Sequence, residues 1–252
     1  MFEASAAMNT ERILIEVRSA IRGEPRLRRW RDVRVAIEAG AVVVEGEVDS
    51  VAVKKLLLAR AAAHPAVTGV VDRLRVAPAH RTGDGEIRDR LRDALLAEPA
   101  LGEVALREVV KGTVVPVREL QSARGDVCAR VEDGVVTFDG CAPSLAHQRL
   151  AGVLAWWVPG VRDVINGLDV TAPETDTDGE ITDAVRMALE KDPFVDPSQV
   201  RVTTHDAVVT LEGLVPKEAE REMAELDAWY VLGVERVENR IAVHPGEATG
   251  TR

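Results

Sequence analysis

Aromatic residues are scarce in this 252-residue sequence, at 3% of positions, too few to line a large aromatic pocket. There are two cysteines, Cys128 and Cys141, which excludes a disulfide-rich scaffold and a cysteine-based zinc site. Runs of about 18 apolar residues are missing, so no membrane-spanning helix is expected. The first turns of the sequence also lack the apolar stretch of a secretory signal, because charges interrupt every apolar run between Glu11 and Arg22. The resulting expectation is a cytoplasmic protein, with peripheral attachment to a membrane as an extension of it. Catalytic signatures are absent as well. The sequence has no Gly-x-Ser-x-Gly elbow and no phosphate-cradling glycine loop. His64, His80, His147, His205 and His244 fall without metal-ligand spacing. Asp176-Thr-Asp178-Gly-Glu180 looks like the start of a calcium loop but lacks the later acidic ligand, and helix capping with a favourable dipole accounts for it. No enzyme activity, cofactor or metal is therefore expected.

What is present is an ordinary globular composition, 46% hydrophobic and 29% charged, with a net charge of −10. The charge is unevenly spread. Residues 9–77 hold 13 basic and 9 acidic side chains, residues 78–173 hold 11 and 14, and residues 174–244 hold 7 and 17. Net acidity argues against a general nucleic-acid-binding surface, but the first third is basic.

These thirds are copies of one unit. Residues 33–76, 127–170 and 200–243 align without a gap. Valine-rich runs flank Ala39-Gly40, Asp133-Gly134 and Asp206-Ala207, as in hairpins with two-residue turns. Such turns pair Val33 with Gly46, Val127 with Gly140 and Val200 with Gly213. They also place Val35 and Val44, Ala129 and Phe138, and Val202 and Leu211 on one buried face. A helix follows each hairpin, with Pro143 and Pro216 suited to its first position. Its apolar stripe reads Ala52, Leu56, Ala59, Ala63 in the first copy, Ala146, Leu150, Val153, Trp157 in the second and Ala219, Met223, Leu226, Tyr230 in the third. A third strand closes each unit near 67–76, 161–170 and 234–243. A helix also precedes each hairpin, with stripes Ile13, Val17, Ile21; Ile87, Leu91, Leu95; and Ile181, Val185, Leu189. Thr10, Asp84 and Asp178 are read as its N-caps, and Glu24-Pro25, Glu98-Pro99 and Asp192-Pro193 as its ends. The fold class expected is α+β: three tandem α-β-β-α-β units, each a small mixed three-stranded sheet packed on two helices. They occupy 9–77, 83–172 and 177–244. The second holds an insertion near 101–123 that reads as an extra hairpin, with Pro116 confining one strand to an edge.

The pattern Asp-Gly-Val-Val-Thr-Phe-Asp-Gly (133–140) with Gly160-Val161 and Val164-Ile-Asn166 resembles the BON domain family. So does Val208-Val-Thr-Leu-Glu-Gly213 with Gly233-Val234 and Val237-Glu-Asn239. The first copy departs at Ala66, where the family pattern has glycine, and at Asp72, where it has asparagine. The resemblance implies a non-catalytic binding module of envelope or osmotic-stress proteins, associated with phospholipid surfaces or other proteins. It also implies a usually periplasmic setting, which the missing signal stretch does not match. Potassium binding in one branch of the family makes an ion-binding sensor a weaker alternative.

Three features are left as candidate binding elements. Arg26, Arg28, Arg29 and Arg31 surround Trp30 in the first helix-to-strand connection, either as a contact for an anionic lipid surface or acidic protein, or as a solvated loop with Trp30 packed on its own unit. Trp156 and Trp229 occupy equivalent positions beside the helix stripe, as boundary packing within a unit or as a contact between units or with a partner. Basic first and acidic third copies also make self-association into a homo-oligomer an alternative. Cys128 and Cys141 share a face of one hairpin but sit diagonally, opposite Asp139 and Asp126, and are expected to stay reduced.

Overall fold

The computed structural model describes residues 2–24, 27, 33–171 and 177–244. The chain divides into two compact units, residues 1–78 and 79–252. Repeat one forms the first unit, from α1 (Phe2–Arg22), β1 (Val33–Glu38), β2 (Ala41–Val48), α2 (Val51–Ala62) and β3 (Val70–Val76). Its sheet runs β1-β2-β3. The hairpin pair is antiparallel, and β2 pairs in parallel with β3 across the α2 crossover. Val17, Ile21, Val35, Val42, Val44, Leu57 and Leu74 form its core.

Repeats two and three form the second unit. Repeat two contains α3 (Asp84–Ala97), β4 (Val104–Val110), β5 (Thr113–Arg118), β6 (Gly125–Glu132), β7 (Val135–Ala142), α4 (Leu145–Trp156) and β8 (Asp163–Val170). Repeat three contains α5 (Asp178–Lys191), β9 (Val200–His205), β10 (Val208–Val215), α6 (Glu218–Tyr230) and β11 (Arg236–Val243). The expected register holds in every copy, with Val33 opposite Gly46, Val127 opposite Gly140 and Val200 opposite Gly213. The turn residues explain why. Ala39-Gly40, Asp133-Gly134 and Asp206-Ala207 all have positive φ, the geometry of a type I′ turn, whose twist matches that of the flanking strands. In repeats two and three the glycine closing the motif is required by sterics. A Cβ on Gly213 would collide with the carbonyl of Gln199, and one on Gly140 with that of Asp126.

The insertion is a hairpin added to the sheet rather than a loop. β4 pairs in parallel with β6, and β5 lies outermost, giving the order β5-β4-β6-β7-β8. Pro116 sits on that outer strand, opposite Arg107 and next to a bulge between Leu106 and Arg107. Leu101, Val104 and Leu106 join the core of repeat two, and Arg118 ties the hairpin down by donating to the carbonyls of Leu101 and Val104.

Three expectations are corrected. Asp84 and Asp178 are not N-caps. Gly83 and Thr177 hold that position, with Thr177 accepting from the Glu180 N–H at 3.3 Å. Thr10 is not a cap either, because α1 starts at Phe2. Pro143 and Pro216 precede the helix rather than open it, since Ser144 and Lys217 are the caps of α4 and α6. Finally, in repeats one and three the buried side of the second helix is displaced from the expected stripe, whereas Leu150 and Val153 of the α4 stripe are buried as expected. Val51, Lys54, Leu57 and Ala61 are the buried residues of α2, and Ala224, Asp227, Ala228 and Trp229 those of α6. At the aligned positions Ala61, Ala155 and Ala228 are fully enclosed. Small side chains let the helix approach the sheet, so the larger residues on the neighbouring stripe are left to other contacts.

The asparagine of the motif works as a strand-to-helix tie. Asn166 donates to the Gln148 carbonyl and accepts from the Leu168 N–H, and Asn239 does the same with Arg221 and Ile241. Asp72 of repeat one keeps the acceptor half, from the Leu74 N–H at 2.9 Å, but a carboxylate cannot donate. Lys54 replaces the missing half. Its ammonium reaches Asp72 at 2.9 Å and the Leu74 carbonyl at 3.1 Å.

Candidate interaction surfaces

Arg26, Arg28, Arg29, Trp30 and Arg31 lie outside the described residues. Arg34, at the start of β1, is exposed and pairs with Glu45 at 3.1 Å.

The two other tryptophan positions belong to the second unit, where repeats two and three meet through their helices. Trp156 of α4 is half-buried and stacks on Tyr230 of α6, with ring centroids 5.7 Å apart and planes 10° from parallel. Trp229 is fully enclosed and has no accessible surface to offer a partner. The adjacent Trp157 donates its indole N–H to Asp227 Oδ1 at 2.9 Å. Arg149, buried in α4, donates Nε to the Leu232 carbonyl at 2.8 Å. Gly233 makes room for it, since a Cβ there would stand 3.0 Å from Arg149 Nη2. Lys191 at the end of α5 reaches Glu98 at the end of α3, at 2.9 Å. Met187 of α5 packs against the core of repeat two. The middle of α4, from Arg149 to Ala155, is buried all round because it is covered by its own sheet on one side and by repeat three on the other.

This junction holds a polar centre that sequence reasoning missed. Asp227 is completely buried and Asp192 nearly so. Asp192 is the neighbouring carboxyl of Asp227, and burial, then Asp192, pushes the Asp227 pKa up to about 8 against the opposing pull of the Trp157 N–H. Tyr230 is pushed up to about 12 by burial and by Asp227. A signal was available for Arg149, the one charged side chain of α4, but not for Asp227, which follows Glu218, Glu220, Arg221, Glu222 and Glu225 in α6.

The Asp84 and Asp178 carboxylates do work absent from the sequence reading. Asp84 accepts from the N–H groups of Asp133 and Gly134 at 2.9 and 2.8 Å, and Asp178 from those of Asp206 and Ala207 at 2.9 and 3.0 Å. Each clamps a helix start to the hairpin turn of its repeat. The two N–H donors hold Asp178 below the usual carboxylate range. Among the described residues, Asp178, His205 and Asp206 are the one group of three potential metal ligands that come together, and both Asp178 oxygens are already engaged by the turn. Cys128 and Cys141 are unbridged and half-buried, in the expected register opposite Asp139 and Asp126. Burial pushes the Cys128 thiol up. No helix among the described residues is long and apolar enough to cross a membrane.

Together these features describe a tandem α+β repeat protein whose second and third repeats are fused through a helical junction. The BON domain pattern matches residues 9–78, 117–172 and 177–245, and the chain belongs to that family. It is similar to the osmotically-inducible protein Y of Escherichia coli (strain K12), 30% identical over 145 residues that span 55% of this chain and 71% of that protein. Two solved structures of CdsD, a structural protein of the type III secretion system of Chlamydia trachomatis, also align. One, of the C-terminal domain, has 14% identity and a TM-score of 0.24, covering 92% of this chain and 98% of that one. The other has 16% identity and a TM-score of 0.25, covering 92% and 91%. At these scores the likeness carries nothing further.

Proposed function

We propose that this chain is a non-enzymatic binding protein of the osmotic or envelope stress response, and that it attaches to anionic phospholipid or membrane-associated surfaces through repeat one. Membership of the BON family and the similarity to an osmotically inducible protein support the setting. The observation that carries the surface is charge segregation. Within a chain of net charge −10, basic residues are gathered in repeat one, and Arg26, Arg28, Arg29 and Arg31 surround Trp30 in a single connection. Guanidinium groups pair with phosphates in a forked geometry, and an indole favours the polar–apolar boundary. Flotation with vesicles of anionic or zwitterionic lipid tests it. The chain is expected to rise with anionic vesicles only, to be released by salt, and to lose binding on Arg28→Glu, Trp30→Ala or Arg31→Glu. Failure to bind either vesicle, or equal binding to both, would sink the proposal.

A second reading, a self-associating scaffold, is favoured by one observation: repeats two and three already pair through their helices. Light scattering across concentration and salt distinguishes it, because a strict monomer throughout is incompatible with self-association.

A further inference from the structure

The junction between repeats two and three contains an oxygen that needs a proton. Asp227 Oδ1 accepts the Trp157 indole N–H. Asp227 Oδ2 is buried and meets no N–H or O–H donor. Its side-chain neighbour is the Asp192 carboxyl, which itself accepts the Phe194 N–H at 2.8 Å. Two ionised carboxylates offer only acceptors. Their contact becomes a hydrogen bond when one of them is protonated, and a buried polar atom left unpaired is costly.

We propose that Asp227 carries a proton which it donates to Asp192, and that this proton latches repeat two to repeat three, so that alkaline pH loosens the junction.

The surroundings agree with this assignment. From α4 the nearby cation is Arg149, whose Nε is directed to the Leu232 carbonyl. From α5 it is Lys191, directed to Glu98. On α6 itself the Tyr230 phenol lies one turn on and Glu225 is turned to Asn239 of β11 at 3.1 Å, while Arg236, Glu238 and Arg240 alternate onto the other face of the sheet. The charge that acts on Asp227 is that of Asp192, of the same sign, and it opposes ionisation. A single proton therefore meets two needs at once. It satisfies the orphan oxygen and keeps Asp227 neutral, so that its other oxygen holds Trp157 of the neighbouring repeat without a buried charge. The linkage follows from the direction of the shift. Asp227 titrates higher in the folded chain than in the unfolded one. Its stabilising contribution is full below the unfolded value and disappears as pH rises through the folded value, near 8.

The test uses the full chain. With carbon-13-labelled aspartate, the Asp227 side-chain carboxyl is expected to titrate far above its neighbours, and an ordinary midpoint near ~4 overturns the proposal. This measurement needs no variant. Thermal midpoints at pH 6 and pH 9 are then compared between wild type and Asp227→Asn, whose amide donates permanently in place of the proton. The wild type is expected to lose several degrees more than the variant, and parallel losses overturn the latch. The junction itself is read by the distance between spin labels at exposed Arg130 and Arg201, after Cys128 and Cys141 are replaced by serine. Broadening at high pH in the otherwise wild-type protein but not with Asp227→Asn supports the latch, and a distribution unchanged by pH overturns it.

Discussion

Ala207 shows how single residues carry the motif. It holds φ 58° where repeats one and two place glycine, and a side chain in that region costs about 1 kcal/mol or more. Ala207→Gly is expected to stabilise the chain by about 1 kcal/mol in urea denaturation. Asp178 acts on the same turn through its carboxylate. Because its pKa is held down in the fold, its contribution is present above the unfolded value and is lost as pH falls through the depressed one. Acid unfolding of Asp178→Asn should therefore begin from a lower stability at neutral pH and fall less steeply. The sequence showed that an acidic residue recurs at 84 and 178, but a carboxylate at a helix start also suits capping. Only the fold brings it to a turn 28 residues away in one repeat and 49 in the other. Asp72 was legible as a departure from the asparagine pattern. Its compensation by Lys54 was not, because nothing in the spacing says that this lysine points inward. Lys54→Gln and Asp72→Asn are expected to be costly singly and nearly neutral together, which rebuilds the Gln148–Asn166 arrangement. A double-mutant cycle should give a coupling of about 1 kcal/mol.

Among the elements, strands were read more accurately than helices. Strand periodicity is two, so a one-residue error would expose the whole core face. Val35, Val44, Phe138, Val202 and Leu211 are buried as the alternation requires. The second helix of repeats one and three was misread because its apolar residues surround more than one stripe. In α6 the choice between Ala224-Ala228 and Met223-Leu226-Tyr230 depends on how closely the helix approaches the sheet and on a neighbouring repeat. Trp229 and Tyr230 consequently exchange their expected places, with Trp229 enclosed and Tyr230 at the junction. The inserted hairpin was legible as two strands, but its partner was not, since parallel pairing of β4 with β6 leaves no local signature. Its two faces should respond differently to truncation. Leu106→Ala, in the core, is expected to cost about 2–5 kcal/mol. Val114→Ala, exposed on β5, should stay within about 0.5 kcal/mol of wild type. Chemical denaturation of both variants checks the contrast.

At the scale of the molecule, three equal copies in sequence become two units in structure. Repeats two and three share the Trp157–Asp227 and Arg149–Leu232 hydrogen bonds, the Trp156–Tyr230 stack and the Lys191–Glu98 pair. Calorimetry is expected to resolve two transitions, one for residues 1–78 and one in which repeats two and three melt together. Three separate transitions, or loss of repeat three alone, would contradict the shared junction. The binding residues proposed for repeat one were legible only as charge and composition, and Arg26 to Arg31 lie outside the described residues, so the fold adds nothing to that reading.

The hairpin inserted into repeat two bears on how a chain of similar modules avoids exchanging parts while it folds. Adjacent copies with interchangeable strands are prone to domain swapping and misassembly. In repeats one and three the first strand, β1 or β9, pairs with one neighbour. In repeat two the equivalent strand, β6, is held between β4 and β7. A strand borrowed from either neighbour would find that slot already fitted on both sides, and β6 could leave only by abandoning β4. The middle module is thus marked as different from its neighbours at the position where a swap would begin, and Pro116 keeps the added outer strand from continuing the sheet into another copy.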